Sequence, residues 1–289
     1  MIEISRRLVR AALDEDVGRG DLTSLACLEP EKIEAVIVAK SDGVVSGLIP
    51  AVMTFHTVDS AIELRLSKEE GDRFSPGDTI AELAGYNQSI LVAERTALNF
   101  LAHLSGIATL THRFVQKISN DTRIIDTRKT TPGWRLLEKA AVVHGGGENH
   151  RIGLYDMVLI KDNHIAASGS VRAAVERTKS FLHSYDFRLQ FQVRPEEIEI
   201  EVEVTNEIEL TDAISAGANR LLLDNQSVES LCKLVARARE LDSGVKLEAS
   251  GNITLDNVAE IAATGVDFIS SGALTHSAPA SDFSLRVTK

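Results

Sequence analysis

The sequence predicts an α/β chain in two parts: a small antiparallel sheet with a flanking helix up to about residue 90, and a β/α barrel after about residue 120. Three observations carry that expectation. Beyond residue 120, β-branched apolar runs alternate regularly with helical patterns, which implies repeated β-α units and a parallel sheet. Each of those runs ends in polar or glycine residues. Before residue 90 the apolar runs are instead short and broken by turns.

The first element is a helix near residues 3 to 14. Turns at Ser41-Asp-Gly43 and Ser75-Pro-Gly-Asp78 bracket the alternation Ile62-Glu-Leu-Arg-Leu66, a half-buried strand. From Ala93 to Ile118, the residues Leu98, Leu101, Leu104, Ile107, Ala108 and Leu110 recur at intervals of three and four. A long helix is therefore expected to connect the two parts, with an interruption at Ser105-Gly106.

Further strands are expected at Arg123–Ile125, Met157–Ile160, Ile198–Val204, Arg220–Leu223, Val245–Glu248 and Val266–Ile269, and helices near residues 170–182, 207–216, 227–241 and 254–264. The strands end in Asp126-Thr-Arg-Lys129, Lys161-Asp-Asn-His164, Thr205-Asn206, Asp224-Asn225, Ala249-Ser-Gly-Asn252 and Ser270-Ser-Gly272. Functional groups at the carboxyl ends of many different strands indicate a barrel, whereas an open doubly wound sheet concentrates them at one switch point.

Composition bounds the function. With 289 residues and 44% hydrophobic content the chain can bury a sizeable core. A net charge of -11 and a pI near 5.3 argue against nucleic acid or a membrane surface as partner. Cys27 and Cys232 form neither a disulfide framework nor a zinc spacing, and Cys232 reads as a small core residue of a helix. No apolar stretch has the length of a signal peptide or a membrane span, so a cytoplasmic location is expected.

Against this acidic background, three basic clusters stand out: Arg128 with Lys129, His150 with Arg151, and Lys161 with His164. Arginine gives anions a bidentate fork and lysine a point charge, so the clusters suit a multiply anionic small molecule. Ala249–Asn252 and Ser270–Ala273 stand where such barrels bind phosphate through backbone N–H groups. The strand period puts Glu199, Glu201 and Glu203 on one face, either a barrel interior or a wet surface. Glu203 and Asp224 fall nearest the mouth, where carboxylates beside a polyphosphate suit Mg²⁺ through waters or hydrogen bonds to ribose hydroxyls. Both roles stay open. Glu199, Glu201, His103 and His144 read as structural or core residues.

The runs Ala93–Leu101 and Leu104–Thr109, the motif Asp126-Thr-Arg-Lys-Thr-Thr-Pro-Gly133, the stretch Gly145–His164 and the strand Glu201-Val-Glu-Val204 resemble the quinolinate phosphoribosyltransferase family, also called carboxylating nicotinate-nucleotide pyrophosphorylases. The resemblance covers roughly residues 10 to 280. It implies an amino-terminal, hammerhead-like α/β sandwich over residues 1–105, rejoined by 277–289, and an open α/β barrel over 106–276. It also implies transfer of phosphoribosyl from phosphoribosyl pyrophosphate to quinolinate with Mg²⁺, giving nicotinate mononucleotide, pyrophosphate and CO₂ for NAD biosynthesis.

Carried over by motif, Arg128, His150, Arg151 and Lys161, with Thr127 beside them, form the quinolinate pocket, joined by Arg95 from the partner subunit of a homodimer. Lys129 and Lys161 lie between the two substrates, Glu203 and Asp224 face ribose and metal, and Lys129, Lys161, Glu203 and Asp224 are the catalytic set. Ser250, Gly251, Asn252, Ser271, Gly272 and Ala273 hold the 5'-phosphate, with His276 nearby. The segment 181–198 is longer than the family's usual connection and is expected to be a surface insertion. Three alternatives were weighed: a biotinyl or lipoyl-type carrier on Lys40, a molybdenum-transport relative, and nicotinate as acceptor without decarboxylation.

Overall fold

Strand pairing and packing separate the chain into two compact units, seen in a computed structural model that describes residues 1–288. The first unit comprises Met1–Arg113, Lys129–Gly147 and the segment from Ala273 onward; the second comprises Phe114–Arg128 and Glu148–Gly272.

The first unit contains β1 (Lys32–Ala39), β2 (Gly43–Val44), β3 (Glu63–Leu66), β4 (Arg73–Phe74) and β5 (Thr79–Tyr86), joined by short connections except between β2 and β3, where a helix intervenes. β1 and β5 pair antiparallel at the centre of a four-stranded sheet, with β3 beyond β5 and a late strand, Phe283–Val287, beyond β1. β2 and β4 form a separate two-stranded ribbon. The helices of this unit are α1 (Ile2–Val17), α2 (Leu22–Cys27), α3 (Leu48–Val58) and α4 (Asn87–Val115), of which α4 leaves the unit at Arg113, then α5 (Arg135–His144). Asp21 caps α2 by accepting from the backbone N–H groups of Thr23 and Ser24. Ile37, Ile80 and Leu83 of the sheet and Phe55, Ile90, Ala97 and Leu101 of α3 and α4 meet in one buried cluster, so the apolar face of the sheet is covered by the apolar stripes of two helices.

The sequence suggests a break at Ser105-Gly106, but α4 runs through it without interruption. The glycine serves packing: a Cβ there would collide with the carbonyl oxygen of Pro279. Ser105 is equally committed, accepting from the backbone N–H of Ser46 and donating to its carbonyl, both at 3.0 Å. Gly106→Ala, which stabilises an ordinary helix interior, is therefore expected to destabilise here by about 1–3 kcal/mol, the cost of overpacking. Urea midpoints for the two proteins check this.

The second unit contains β6 (Arg123–Ile125), β7 (Val158–Ile160), β8 (Ile200–Val204), β9 (Arg220–Asp224), β10 (Lys246–Ser250) and β11 (Phe268–Ser270), all paired in parallel. Their order is β6-β11-β10-β9-β8-β7. Every strand from β7 to β11 is added on the same side of its predecessor, and β6, the first in the chain, pairs with the last. That is the winding of a barrel; a doubly wound sheet would reverse direction. β6 and β7 do not pair, so the barrel is open between them.

The connecting helices are α6 (Asp162–Ser168), α7 (Val171–Leu182), α8 (Tyr185–Phe191), α9 (Glu207–Ala216), α10 (Val228–Leu241) and α11 (Val258–Ala262), and a short α12 (Ala273–His276) and β12 (Phe283–Val287), the late strand above, return the chain to the first unit. Ser170, Asn206 and Ser227 cap α7, α9 and α10 through their side-chain oxygens. Val202, Val204, Leu221, Leu223, Leu247 and Ile269 are buried on one face of the sheet, while the alternate positions Glu201, Glu203, Arg220, Asp224, Glu248, Ser250 and Ser270 share the other.

One further expectation is corrected. Cys232 is exposed, one position along from the buried Leu231 of α10, so the thiol points away from the core its helix covers. The segment 181–198 has mostly exposed side chains and contains α8, where buried Phe187 stacks on Phe191 with ring centroids 5.1 Å apart and meets Phe181 edge-on. No helix among the described residues is long and apolar enough to cross a membrane.

Candidate active site

The interior face of the barrel is polar because its inward positions carry charge, and four side chains make a closed network there. The Arg220 guanidinium pairs with Glu201 at 3.1 Å, makes a short ion pair with Glu248, and lies 4.0 Å above the ring of Phe268. Register explains the meeting, since Arg220 sits opposite Glu201 on β8 and Leu222 sits opposite Glu248 on β10. His150 enters from the segment after β6; its Nε2 is 2.9 Å from Glu201 and 3.5 Å from Glu248. Its backbone N–H is held by the Asp126 carboxylate at 2.9 Å. Both glutamates are essentially inaccessible, at 0% and 1%. His150, Glu201 and Glu248 alone would be a plausible metal trio, but here Arg220 occupies the carboxylates.

Burial and the neighbouring charge of Glu201 push the Glu248 carboxyl up to about 7. Between its ordinary value near 4.5 and about 7, the folded protein keeps a proton that the unfolded chain has released. Stability from this group is therefore complete at low pH and is lost as pH rises through that window, on the order of 2–3 kcal/mol for a shift of this size. Glu248→Gln is permanently neutral, so its urea midpoint should fall less than that of the unsubstituted protein between about pH 5 and about pH 8.

Above this floor stand the strand ends. Lys161, at the end of β7, directs its Nζ to Glu203 on β8 at 3.3 Å, and the Lys161 backbone N–H is held by His164 Nδ1 at 3.0 Å. Asp224 ends β9 one step beyond the register of Val204 and accepts from the Asn225 amide at 2.6 Å. Ser250 and Ser270 lie side by side at the ends of β10 and β11. Gly251 and Asn252 take positive φ values of 96° and 52°; a Cβ on Gly251 would collide with the Asn225 side chain. Ser271 donates its backbone N–H to the Ile125 carbonyl at 3.1 Å, with Gly272 following.

Arg128 and Arg151 are both half-buried in this unit. Burial and the positive charge of Arg128 hold the Arg151 guanidinium below its ordinary range. The Arg151 loop is fixed at both ends. Its own backbone N–H donates to His150 Nδ1 at 2.7 Å, and Asp156 accepts from the N–H groups of Ile152 and Gly153 at 2.6 and 2.9 Å. Cations from two loops, an acidic pair on adjacent strands and two serine-glycine turns thus face one end of the barrel, where β/α barrels carry their chemistry.

A family model described as the C-terminal domain of quinolinate phosphoribosyl transferase matches residues 107–286, and one described as its N-terminal domain matches residues 21–105. The chain belongs to the quinolinate phosphoribosyl transferase family. It is 41% identical to a probable carboxylating nicotinate-nucleotide pyrophosphorylase of Bacillus subtilis, over 98% of this chain and 93% of that protein. It is 39% identical to the chloroplastic carboxylating nicotinate-nucleotide pyrophosphorylase of Arabidopsis thaliana, over 98% and 82%. The solved nicotinate-nucleotide pyrophosphorylase of Francisella tularensis superposes with a TM-score of 0.91 at 41% identity, covering 100% of this chain and 97% of that one.

The remaining residues expected from the quinolinate phosphoribosyl transferase resemblance belong to the first unit. Lys129 is exposed, and its carbonyl accepts from the Thr275 hydroxyl at 2.8 Å. His276 is exposed on α12 and Arg95 is exposed on α4. Sequence reading missed Glu138. This buried carboxylate accepts from Thr131 N–H at 3.1 Å and meets His103 Nε2 at 2.9 Å. Trp134 stacks on Phe100 at 4.8 Å and meets His103 edge-on, so the Lys129–Trp134 loop is pinned along its length. Although burial disfavours the Glu138 charge, the hydrogen bonds from His103 and Thr131 outweigh it and hold the carboxyl below its ordinary range. Glu138→Ala removes a buried acceptor shared by the Thr131 N–H and the His103 ring and should cost about 1–3 kcal/mol, with Glu138→Gln intermediate, as thermal midpoints would report.

Proposed function

We propose that this protein catalyses transfer of the phosphoribosyl group from phosphoribosyl pyrophosphate to quinolinate with decarboxylation, releasing nicotinate mononucleotide, pyrophosphate and CO₂ in NAD biosynthesis. It is a pentosyltransferase. The observation that carries the reading is the approach of Arg128 to Arg151 at a barrel mouth whose floor is already charge-satisfied. Two guanidinium groups at one barrel mouth suit an anion of more than one charge, as quinolinate is.

In this reading Arg128, Arg151 and Lys161, with Thr127 and the neighbouring Lys129, bind the two carboxylates and the pyrophosphate side, and His150 stands in the pocket wall behind Arg151. Ser250, Gly251, Asn252, Ser271, Gly272 and Ala273 cradle the 5'-phosphate, and His276 acts close to it. The pyridine nitrogen attacks the anomeric carbon as pyrophosphate leaves, through an oxocarbenium-like state. No enzyme nucleophile is required, so fixed charge and alignment supply most of the acceleration. Once the ring nitrogen is quaternised, CO₂ departs, the ring nitrogen stabilises the electron pair left on the adjacent carbon, and that pair then takes a proton from water to give the product C–H.

The carboxylates of Glu203 and Asp224, on adjacent strands and only partly buried, are a hard oxygen donor set that suits Mg²⁺ through waters. When bound, the ion would neutralise charge on the departing pyrophosphate. Lys161 balances Glu203 in its absence. The protein acts in the cytoplasm, where its two exposed thiols stay reduced.

The same reading includes a homodimer in which Arg95 completes the partner's site, supported by the exposure of that side chain on α4. Mixed Arg95→Ala and Lys161→Ala protomers, each inactive alone, should then recover activity after subunit exchange. Proven exchange without recovery contradicts the shared site. Acceptor choice tests the reaction itself: product should form from quinolinate and not from nicotinate, because a monocarboxylate leaves one cation pair unmatched.

A further inference from the structure

We infer that His150 serves as a neutral positioning residue, which uses both ring nitrogens inside the protein to aim Arg151, and contributes no positive charge to substrate. The inference rests on the proposed quinolinate chemistry only for what Arg151 binds. Its geometry is local. The Arg151 backbone N–H points at His150 Nδ1 from 2.7 Å, and an N–H can only donate, so Nδ1 must present its lone pair. A neutral imidazole then carries its proton on Nε2, where Glu201 accepts at 2.9 Å. An imidazolium would set a second N–H against the Arg151 amide and break that bond.

The rest of the floor keeps this tautomer in place. Glu201 is itself fixed by Arg220, which also holds Glu248, and the stacking of Arg220 on Phe268 leaves the guanidinium little freedom. The backbone N–H of His150 is tied to Asp126, so neither the main chain nor the ring can swing. Beyond Arg151, Asp156 closes the turn by accepting from the N–H groups of Ile152 and Gly153. Arg151 therefore stands in a loop whose flanks are both fixed, and its guanidinium additionally donates to the Met157 carbonyl at 3.2 Å. A loop built in this way orders the arginine before substrate arrives, which lowers the entropic cost of binding.

Two measurements test the inference. In protein labelled with ¹⁵N-histidine, assigned with a His150→Gln sample, the His150 imidazole should show a protonated Nε2 and an unprotonated Nδ1 at neutral pH, unchanged when quinolinate is added. A doubly protonated ring, free or with quinolinate, overturns the inference. Second, His150→Asn keeps an acceptor near the Nδ1 position, whereas His150→Gln places its amide near Nε2. The Asn variant should bind quinolinate at least about tenfold more tightly than the Gln variant, with the difference in the KM for quinolinate and not in that for phosphoribosyl pyrophosphate. Equal loss in both neutral variants overturns it, since that is the behaviour of a missing cation. The spectroscopic result needs no turnover, so a protein with the expected tautomer and no activity on quinolinate counts against the proposed function and leaves the tautomer assignment standing.

Discussion

Arg220→Met is expected to lower stability by about 3–5 kcal/mol, the loss that follows when one partner of a buried ion network is removed. The side chain joins Glu201 and Glu248, both shut off from solvent, and after its removal two carboxylates face one another with no cation between them. Methionine fills much of the volume but offers no donor. The effect should be rescued in large part by combining Arg220→Met with Glu201→Gln and Glu248→Gln, because the penalty arises from uncompensated charge, not from lost packing. Chemical denaturation of the single and triple variants distinguishes the two: equal destabilisation would show that shape, not charge, governs the floor.

Lys129→Ala should leave folding intact and reduce kcat by about 10²–10³-fold, the range for removal of one preorganised charge from a developing anion. The side chain is exposed, and the contacts that pin its loop use main-chain atoms or neighbouring residues: the Lys129 carbonyl with Thr275, the Thr131 amide with Glu138, and Trp134 on Phe100. Truncation at Cβ therefore removes the charge while leaving those contacts in place. Far-ultraviolet circular dichroism and the thermal midpoint should match those of the unsubstituted protein while single-turnover rates fall. Near-normal turnover would remove Lys129 from the catalytic set.

Much of this architecture was legible in the chain. The alternation of β-branched runs with helical patterns, each run ending in polar or glycine residues, predicts the barrel, and the order β6-β11-β10-β9-β8-β7 is the winding that such repeated β-α units produce. The alternation also puts Glu201 and Glu203 on one face, but it does not say that Glu201 is sealed at 0% accessibility while Glu203, two residues nearer the strand end, reaches Lys161. That difference is depth in the barrel, set by strand register. Arg220 and Glu248 escaped notice for the same reason: each looks like a solvated strand residue until its neighbours are known. Gly106 was misread as a helix break because a close approach by Pro279, far away in sequence, leaves no local trace. Cys232 was misplaced because a helical pattern fixes the buried stripe less tightly than the single position at its edge.

The composition of the mouth explains how a strongly acidic protein can bind polyanions. Its acidic residues are mostly exposed, while Arg128 and Arg151 lie in the segment after β6 and Lys161 directly follows β7. The floor beneath them joins Arg220 to Glu201 and Glu248.

The most direct test of the central claim follows carbon and phosphoribosyl together. Purified protein is incubated with phosphoribosyl pyrophosphate, Mg²⁺ and quinolinate labelled in the carboxylate adjacent to the ring nitrogen. Release of labelled CO₂ in equal amount to nicotinate mononucleotide is the predicted result. Folded protein that forms neither, or that transfers phosphoribosyl to nicotinate without loss of CO₂, contradicts it.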